Sequence, residues 1–325
     1  MRVCVTGGTG FIGGALVDRL LREGASVRVL ARPSTRADAL AVRGAEIVRG
    51  DLWSAQALDE AVRGTEVVFH AAAMVEGYGS RREFEETNLG GTQRVFDACI
   101  RQGVPHVVYL SSIAVYGLAQ KGERIDELTP VDASPEKRDS YARSKIKAEE
   151  YATAIGLKAR LAVTILRPGV VYGPGRRLPV ALLGFQVGKV NVVFGRRQML
   201  FPVSYVGNLV DAMMLGVKTV GGLRKYIVID DDSLTLGQYH ATRAAIDKTR
   251  AIFLSGWLVL AGPTVLKGLT RIVPAGVAKA AIWQRQAERA LQDRWYDTSL
   301  IRKELGWTPR VSLREAIEKT AEASK

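Results

Sequence analysis

The chain has 325 residues, 47% of them hydrophobic and 24% charged, with a mean hydropathy of +0.03. That composition predicts one soluble globular body, or two lobes, with ample core material; it excludes a disordered, collagen-like or disulfide-stapled chain. Lys and Arg number 46 against 33 Asp and Glu, and the formal charge of +13 suits an anionic partner such as a phosphate, a nucleic acid or a lipid surface without choosing among them.

The first run, Arg2 to Thr6, enters glycines directly, without the apolar stretch and cleavage site of a secretory signal, so a cytoplasmic location is expected. Further strands are predicted at Ser26 to Ala31, Glu46 to Arg49, Glu66 to His70, Val107 to Ser111 and Ala162 to Leu166. Between them, amphipathic stretches predict helices over Phe11 to Arg22, Ala55 to Val62, Arg82 to Arg101 and Ser140 to Ile155. Such alternation builds βαβ units, and right-handed crossovers turn these into an α/β fold with a doubly wound parallel sheet of Rossmann type, ligands lying at the strands' carboxyl ends. After Gly173-Pro174-Gly175 the rhythm is lost until one more strand at Lys225 to Asp230, while Val206 to Val217 reads as a helix. The expected division is a dinucleotide-binding domain of 1–174, with 203–232 returning to it, and a smaller, mostly helical substrate lobe of 175–202 and 233–325. Cys4 and Cys99 read as buried reduced thiols.

Thr6-Gly7-Gly8-Thr9-Gly10-Phe11-Ile12-Gly13 lies where the first strand becomes the first helix. Gly7 permits a tight turn, Gly10 lets a pyrophosphate approach the backbone and Gly13 allows close helix-strand packing, while the helix start at Phe11 and Ile12 offers N–H groups to the anion. An enzyme for NAD usually carries a carboxylate at the end of the second strand, against the ribose 2'-hydroxyl. Here Ala31-Arg32-Pro33-Ser34-Thr35-Arg36 contains no acid; Arg32, Ser34 and Arg36 suit a 2'-phosphate, which points to NADP with NAD as the alternative, unless these arginines are ordinary solvated charges. Asp51-Leu52, after the third strand, is placed to meet the adenine ring.

Tyr141 and Lys145 stand four positions apart on a predicted helix, hence on one face. Ser112 follows the fifth strand at the edge where a nicotinamide would lie. Hydride transfer at a carbon bearing oxygen requires a proton to move on that oxygen, and an unperturbed Tyr, with a pKa of about 10, is a poor base near neutrality. An adjacent ammonium and the oxidised nicotinamide's positive charge both favour the phenolate, so Tyr141 is the candidate proton donor or acceptor, Lys145 tunes it, and Ser112 holds the substrate oxygen.

These residues resemble the extended short-chain dehydrogenase/reductase family, also described as the NAD-dependent epimerase/dehydratase family, over essentially the whole chain. Its motifs recur in order: the glycine turn, Asp51-Leu52, His70-Ala71-Ala72-Ala73, Asn88 with Gly91-Thr92, Ser112, Tyr141 with Lys145, Leu166-Arg167-Pro168-Gly169-Val170, Tyr296-Asp297-Thr298 and Glu304-Leu305-Gly306-Trp307-Thr308-Pro309. The resemblance implies that Ala71, Ala72 and Tyr141 also face the cofactor, that Lys145 binds the nicotinamide ribose, and that Pro168 and Val170 line the nicotinamide pocket.

Within that family, dehydratases carry an Asp-Glu pair where this chain has Ile113-Ala114, and epimerases commonly have an Arg-Asp pair where it has Phe201-Pro202, although Arg196 and Arg197 lie nearby. Pro202-Val203-Ser204-Tyr205-Val206-Gly207-Asn208-Leu209 resembles instead the 3β-hydroxysteroid and sterol dehydrogenase branch. The resemblance thus implies an NAD(P)-dependent oxidoreductase interconverting a secondary alcohol and a ketone on a small hydrophobic, sterol-like or long-chain substrate. Alternatives are a nucleotide-sugar epimerase and a non-catalytic NADP-binding redox sensor. Residues 251–283 are apolar with basic neighbours, a pattern of buried lobe helices with solvated outer charges or of peripheral contact with an anionic membrane. Ala251 to Leu266 falls short of the ~20 apolar residues of a spanning helix. His70, His106 and His240 lack metal-ligand companions, so no metal is expected. No nucleic-acid module is recognisable, and a homodimer is compatible with the reading.

Overall fold

A computed structural model describes residues 1–75, 79–117, 124–158, 161–176, 178, 184–219, 221–254 and 294–323. Seven strands, β1 (Arg2–Thr6), β2 (Ser26–Ala31), β3 (Glu46–Arg49), β4 (Val67–His70), β5 (His106–Leu110), β6 (Ala162–Pro168) and β7 (Leu223–Val228), form one sheet. Every neighbouring pair is parallel, in the order β7-β6-β5-β4-β1-β2-β3. The order reverses direction between β1 and β4, which opens the crevice where doubly wound sheets bind ligands.

Period-2 alternation sends successive residues to opposite faces, and both faces are dry. Val3, Val5, Val67, Phe69 and Val108 pack with Leu16, Val17 and Leu20 of helix Phe11–Arg22 and with Leu209 and Met213 of helix Val206–Gly216. On the other face Cys4, Val68, Val107 and Tyr109 pack with Leu58 of helix Ala55–Val62, Phe96 of helix Gly91–Arg101 and Ala148 and Ala152 of helix Ser140–Lys158. Both cysteines are free and buried, and burial pushes the Cys4 thiol up to about 12, which makes it unreactive.

Three local expectations are corrected. Thr35–Val42, where no element is expected, is a short helix burying only Ala37 and Leu40, an apolar stripe too sparse to register as a period. The single helix expected over Arg82 to Arg101 contains a π-turn at Glu86–Gly90 between helices Arg81–Glu85 and Gly91–Arg101. Ala251 to Leu254, placed in a helical stretch, belongs to strand Arg250–Leu254, which pairs in parallel with Val190–Phe194; the latter pairs antiparallel with Gly184–Val187. A second apolar cluster joins Tyr172, Val193, Met199, Phe201, Leu236 and Tyr239 to Ile317 of helix Leu313–Glu322. Among the described residues no helix is long and apolar enough to cross a membrane, and most of the 251–283 segment lies outside them.

Candidate active site

The site is assembled along one edge of the sheet. At the end of β1, Gly7 adopts φ +75°, and a Cβ there would lie 2.7 Å from the Ala72 nitrogen, so the turn rests directly on the segment after β4. A Cβ on Gly13 would lie 2.1 Å from the Gly7 carbonyl oxygen; only glycine lets helix Phe11–Arg22 seat on the turn. Gly10 begins that helix exposed, with no side-chain cap, leaving the N–H groups of Phe11, Ile12 and Gly13 to a ligand. An uncapped helix end above a backbone cradle that a Cβ would fill fits a dinucleotide's pyrophosphate.

Around it, Leu52 packs over Gly91, and the Asp51 carboxylate accepts the N–H groups of Trp53 (2.9 Å) and Ser54 (3.2 Å). Arg32 and Arg36 are exposed after β2. Ser34, read as a phosphate contact, has a second occupation: its Oγ caps helix Thr35–Val42 by accepting from the Ala37 N–H. Pro168 is buried and Val170 half-buried at the end of β6, where the Val170 N–H donates to the Pro202 carbonyl at 2.9 Å.

Lys145 is 2% exposed, and its Nζ donates to the Tyr109 hydroxyl and to the Leu110 carbonyl, both at 2.8 Å. Helix Ser140–Lys158 is thereby pinned to the last residues of β5, two positions before Ser112. Burial pushes the Lys145 ammonium down to about 7, against the opposing attraction of Glu149 one turn further on. Ser112 is half-buried and its Oγ accepts the Ala114 N–H at 3.1 Å, which leaves its hydroxyl proton for a ligand. Tyr141 is half-buried one turn before Lys145, close enough to Tyr109 to act on it electrostatically.

Sequence reasoning missed the support beneath these groups. Glu149 and Arg167 form a buried ion pair, with Nε of Arg167 at 3.0 and 3.2 Å from the two carboxylate oxygens; the Ser111 hydroxyl donates to the same carboxylate at 2.5 Å. Arg167 also donates to the Tyr116 hydroxyl at 2.6 Å. Burial lowers the affinity of Arg167 for its proton, and Glu149 and Tyr116 more than restore it. The overlooked signal is periodic: Glu149 follows Lys145 by four, as Lys145 follows Tyr141.

His70 ends β4 with its ring buried, 1% exposed, and burial pushes its imidazole down to about 3, so it is neutral. Asn88 is buried in the π-turn, where its amide bonds the Met74 backbone and the Ser144 hydroxyl. Asn208 has a packing role, accepting the N–H groups of Arg310 and Val311 on its side chain and that of the Trp307 indole on its carbonyl. Among the described residues there is no cluster of His, Cys, Asp or Glu able to hold a metal.

The sequence model of the NAD dependent epimerase/dehydratase family matches residues 3–228. The chain belongs to this family. Its similarity to curated relatives runs the full length: it is 28% identical to a 2-alkyl-3-oxoalkanoate reductase of Stenotrophomonas maltophilia, covering 100% of this chain and 99% of that one. It is 27% identical to a 3 beta-hydroxysteroid dehydrogenase/Delta 5-->4-isomerase of Mycobacterium tuberculosis, covering 97% and 88%. Among solved structures, gox2253 superposes with a TM-score of 0.79 at 25% identity (99% and 97% covered), and MoeE5 in complex with UDP-glucose and NAD with 0.73 at 25% (100% and 98%). The chain is an NAD(P)-dependent enzyme of the extended short-chain type, and its sheet and the uncapped glycine turn suit that cofactor.

Proposed function

We propose that the enzyme interconverts a secondary alcohol and a ketone on a hydrophobic substrate, with NADP preferred over NAD. The observation that carries this reading is the buried Lys145 ammonium, anchored on Leu110 at the sheet edge, one helical turn from Tyr141 and beside Ser112. In the reducing direction the Tyr141 phenol gives its proton to the carbonyl oxygen, Ser112 donates a hydrogen bond to the same oxygen, and the charge of Lys145 keeps the phenol acidic. Hydride transfer is the chemistry a bound nicotinamide supplies. Arg32 and Arg36, exposed beside the start of helix Thr35–Val42, support selection of a 2'-phosphate.

A hydrophobic substrate is supported by the names of the two full-length relatives, an oxoalkanoate reductase and a hydroxysteroid dehydrogenase. Phe201, where epimerases commonly carry Arg, is buried in the apolar cluster with Tyr239. The similarity to MoeE5 with UDP-glucose favours the nucleotide-sugar reading as the second. The test follows reduced-nicotinamide absorbance across steroids, long-chain 3-oxo acids and nucleotide sugars, with product analysis for epimers. Neither oxidation nor reduction of any lipid-like substrate, together with epimer formed from a nucleotide sugar, would overturn the proposal in favour of the second reading.

A further inference from the structure

Lys145 is held by buried hydrogen bonds to the Tyr109 hydroxyl and the Leu110 carbonyl, and the groups packed around Tyr109 are themselves hydrogen-bonded. The Thr92 hydroxyl donates to the Asn88 carbonyl of the π-turn at 2.6 Å. Towards His70 Nε2, 3.0 Å away, Thr92 can therefore only accept, so neutral His70 carries its proton on Nε2 and takes the Thr6 hydroxyl proton's bond on Nδ1 at 2.7 Å. The Tyr109 hydroxyl accepts from Lys145 and has Thr92 beside it, an interaction that favours the phenolate. His70 stacks on the Tyr109 ring (5.5 Å between centroids, 23°), and Phe96 meets its edge, which leaves the phenol one orientation.

We propose that Tyr109 is the positioning residue of the catalytic lysine: its hydroxyl holds the Lys145 ammonium charged and fixed at the end of β5, where it acts on Tyr141. This rests on the reading of Tyr141 and Lys145 as the reacting pair. The ionisable groups facing Lys145 are Tyr141 and Glu149 on its own helix, Tyr109 from β5 and His70 from β4, while Arg167 of β6 neutralises Glu149. Glu149 favours the ammonium from one side; on the other, Tyr109 is the side-chain acceptor that replaces lost water.

The experiment is a pH profile of kcat/KM for ketone reduction at saturating reduced cofactor, in wild type, Tyr109→Phe and Phe96→Leu. Without its acceptor the ammonium loses its proton at lower pH, so the basic limb of the profile in Tyr109→Phe moves down: kcat/KM falls about tenfold at pH 8 but only about twofold at pH 6. Phe96→Leu loosens the same packing without removing the Lys145–Tyr109 hydrogen bond, so it lowers thermal stability and leaves the profile in place. A Tyr109→Phe profile superposable on wild type, or a Phe96→Leu profile displaced equally, overturns the proposal. Turnover that survives Tyr141→Phe would instead overturn the underlying reading, whatever Tyr109 does.

Discussion

Glu149→Gln swaps one carboxylate oxygen for an amide with hardly any change of volume, at the point where the structure concentrates buried charge. In the wild type the Glu149 and Arg167 side chains are each 1% exposed, and Glu149 accepts from Ser111 and from two nitrogens of Arg167. After the change the guanidinium keeps the Tyr116 hydroxyl at 2.6 Å and, at 3.5 Å, the Glu127 carbonyl, but loses its hydrogen-bonded counter-charge, with the Glu127 carboxylate left to act on it through space. Breaking a buried pair from one side costs about 3–5 kcal/mol, because the remaining charge stays out of water without compensation. For a chain of 325 residues, unfolding entropy of about 2.1 cal/mol/K per residue sums to roughly 0.7 kcal/mol/K, so Tm is expected to fall by about 4 to 7 °C. Replacing both partners, as Glu149→Leu with Arg167→Met, removes both desolvation penalties and is expected to recover most of the loss. Thermal unfolding followed by circular dichroism, with all four members of the cycle, reads this directly. A Glu149→Gln shift below about 1 °C, or a double variant as unstable as the two single losses combined, would refute the reasoning.

Tyr141→Phe should lower turnover by about 10²–10⁴-fold, measured by reduced-nicotinamide absorbance, while cofactor titration by fluorescence is unchanged. Arg32→Asp should move the ratio of kcat/KM for NADP over NAD towards NAD by about 10- to 100-fold, the worth of a charge-assisted hydrogen bond; a constant ratio would exclude the 2'-phosphate role. Gly13→Ala drives a Cβ to 2.1 Å from the Gly7 carbonyl, and its cofactor Kd should rise at least about tenfold. Burial raises the Asp230 carboxyl to about 7, against hydrogen bonds from the Tyr205 N–H and Asn208, so the folded chain holds a proton that the unfolded chain releases between pH ~4 and 7. Wild-type stability therefore falls as pH rises through that window, and the Tm advantage of Asp230→Asn should grow from pH 4 to pH 8; a constant difference would contradict the shift.

Most of the sheet was legible in one dimension because its signals are local. Alternating β-branched runs give strands, glycines at 7, 10 and 13 mark a place where backbone must approach backbone, and a four-residue spacing puts Tyr141 and Lys145 on one helical face. The C-terminal tie between Asn208, Trp307 and Val311 spans about a hundred positions, and no periodicity reports it. His70 shows the same limit from the other side: a strand-end histidine in a cofactor motif looks ligand-facing, yet its ring turns inward to Thr6 and Thr92.

The residue types proposed to do the chemistry, their helical register and the glycine turn were all present in the order of amino acids, since each depends on neighbours within a few positions. The charge state of those residues was not. Whether Lys145 is an ordinary ammonium or one poised near neutrality depends on how much water is taken from it and which acceptors replace that water, and these come from strands and helices joined only by folding.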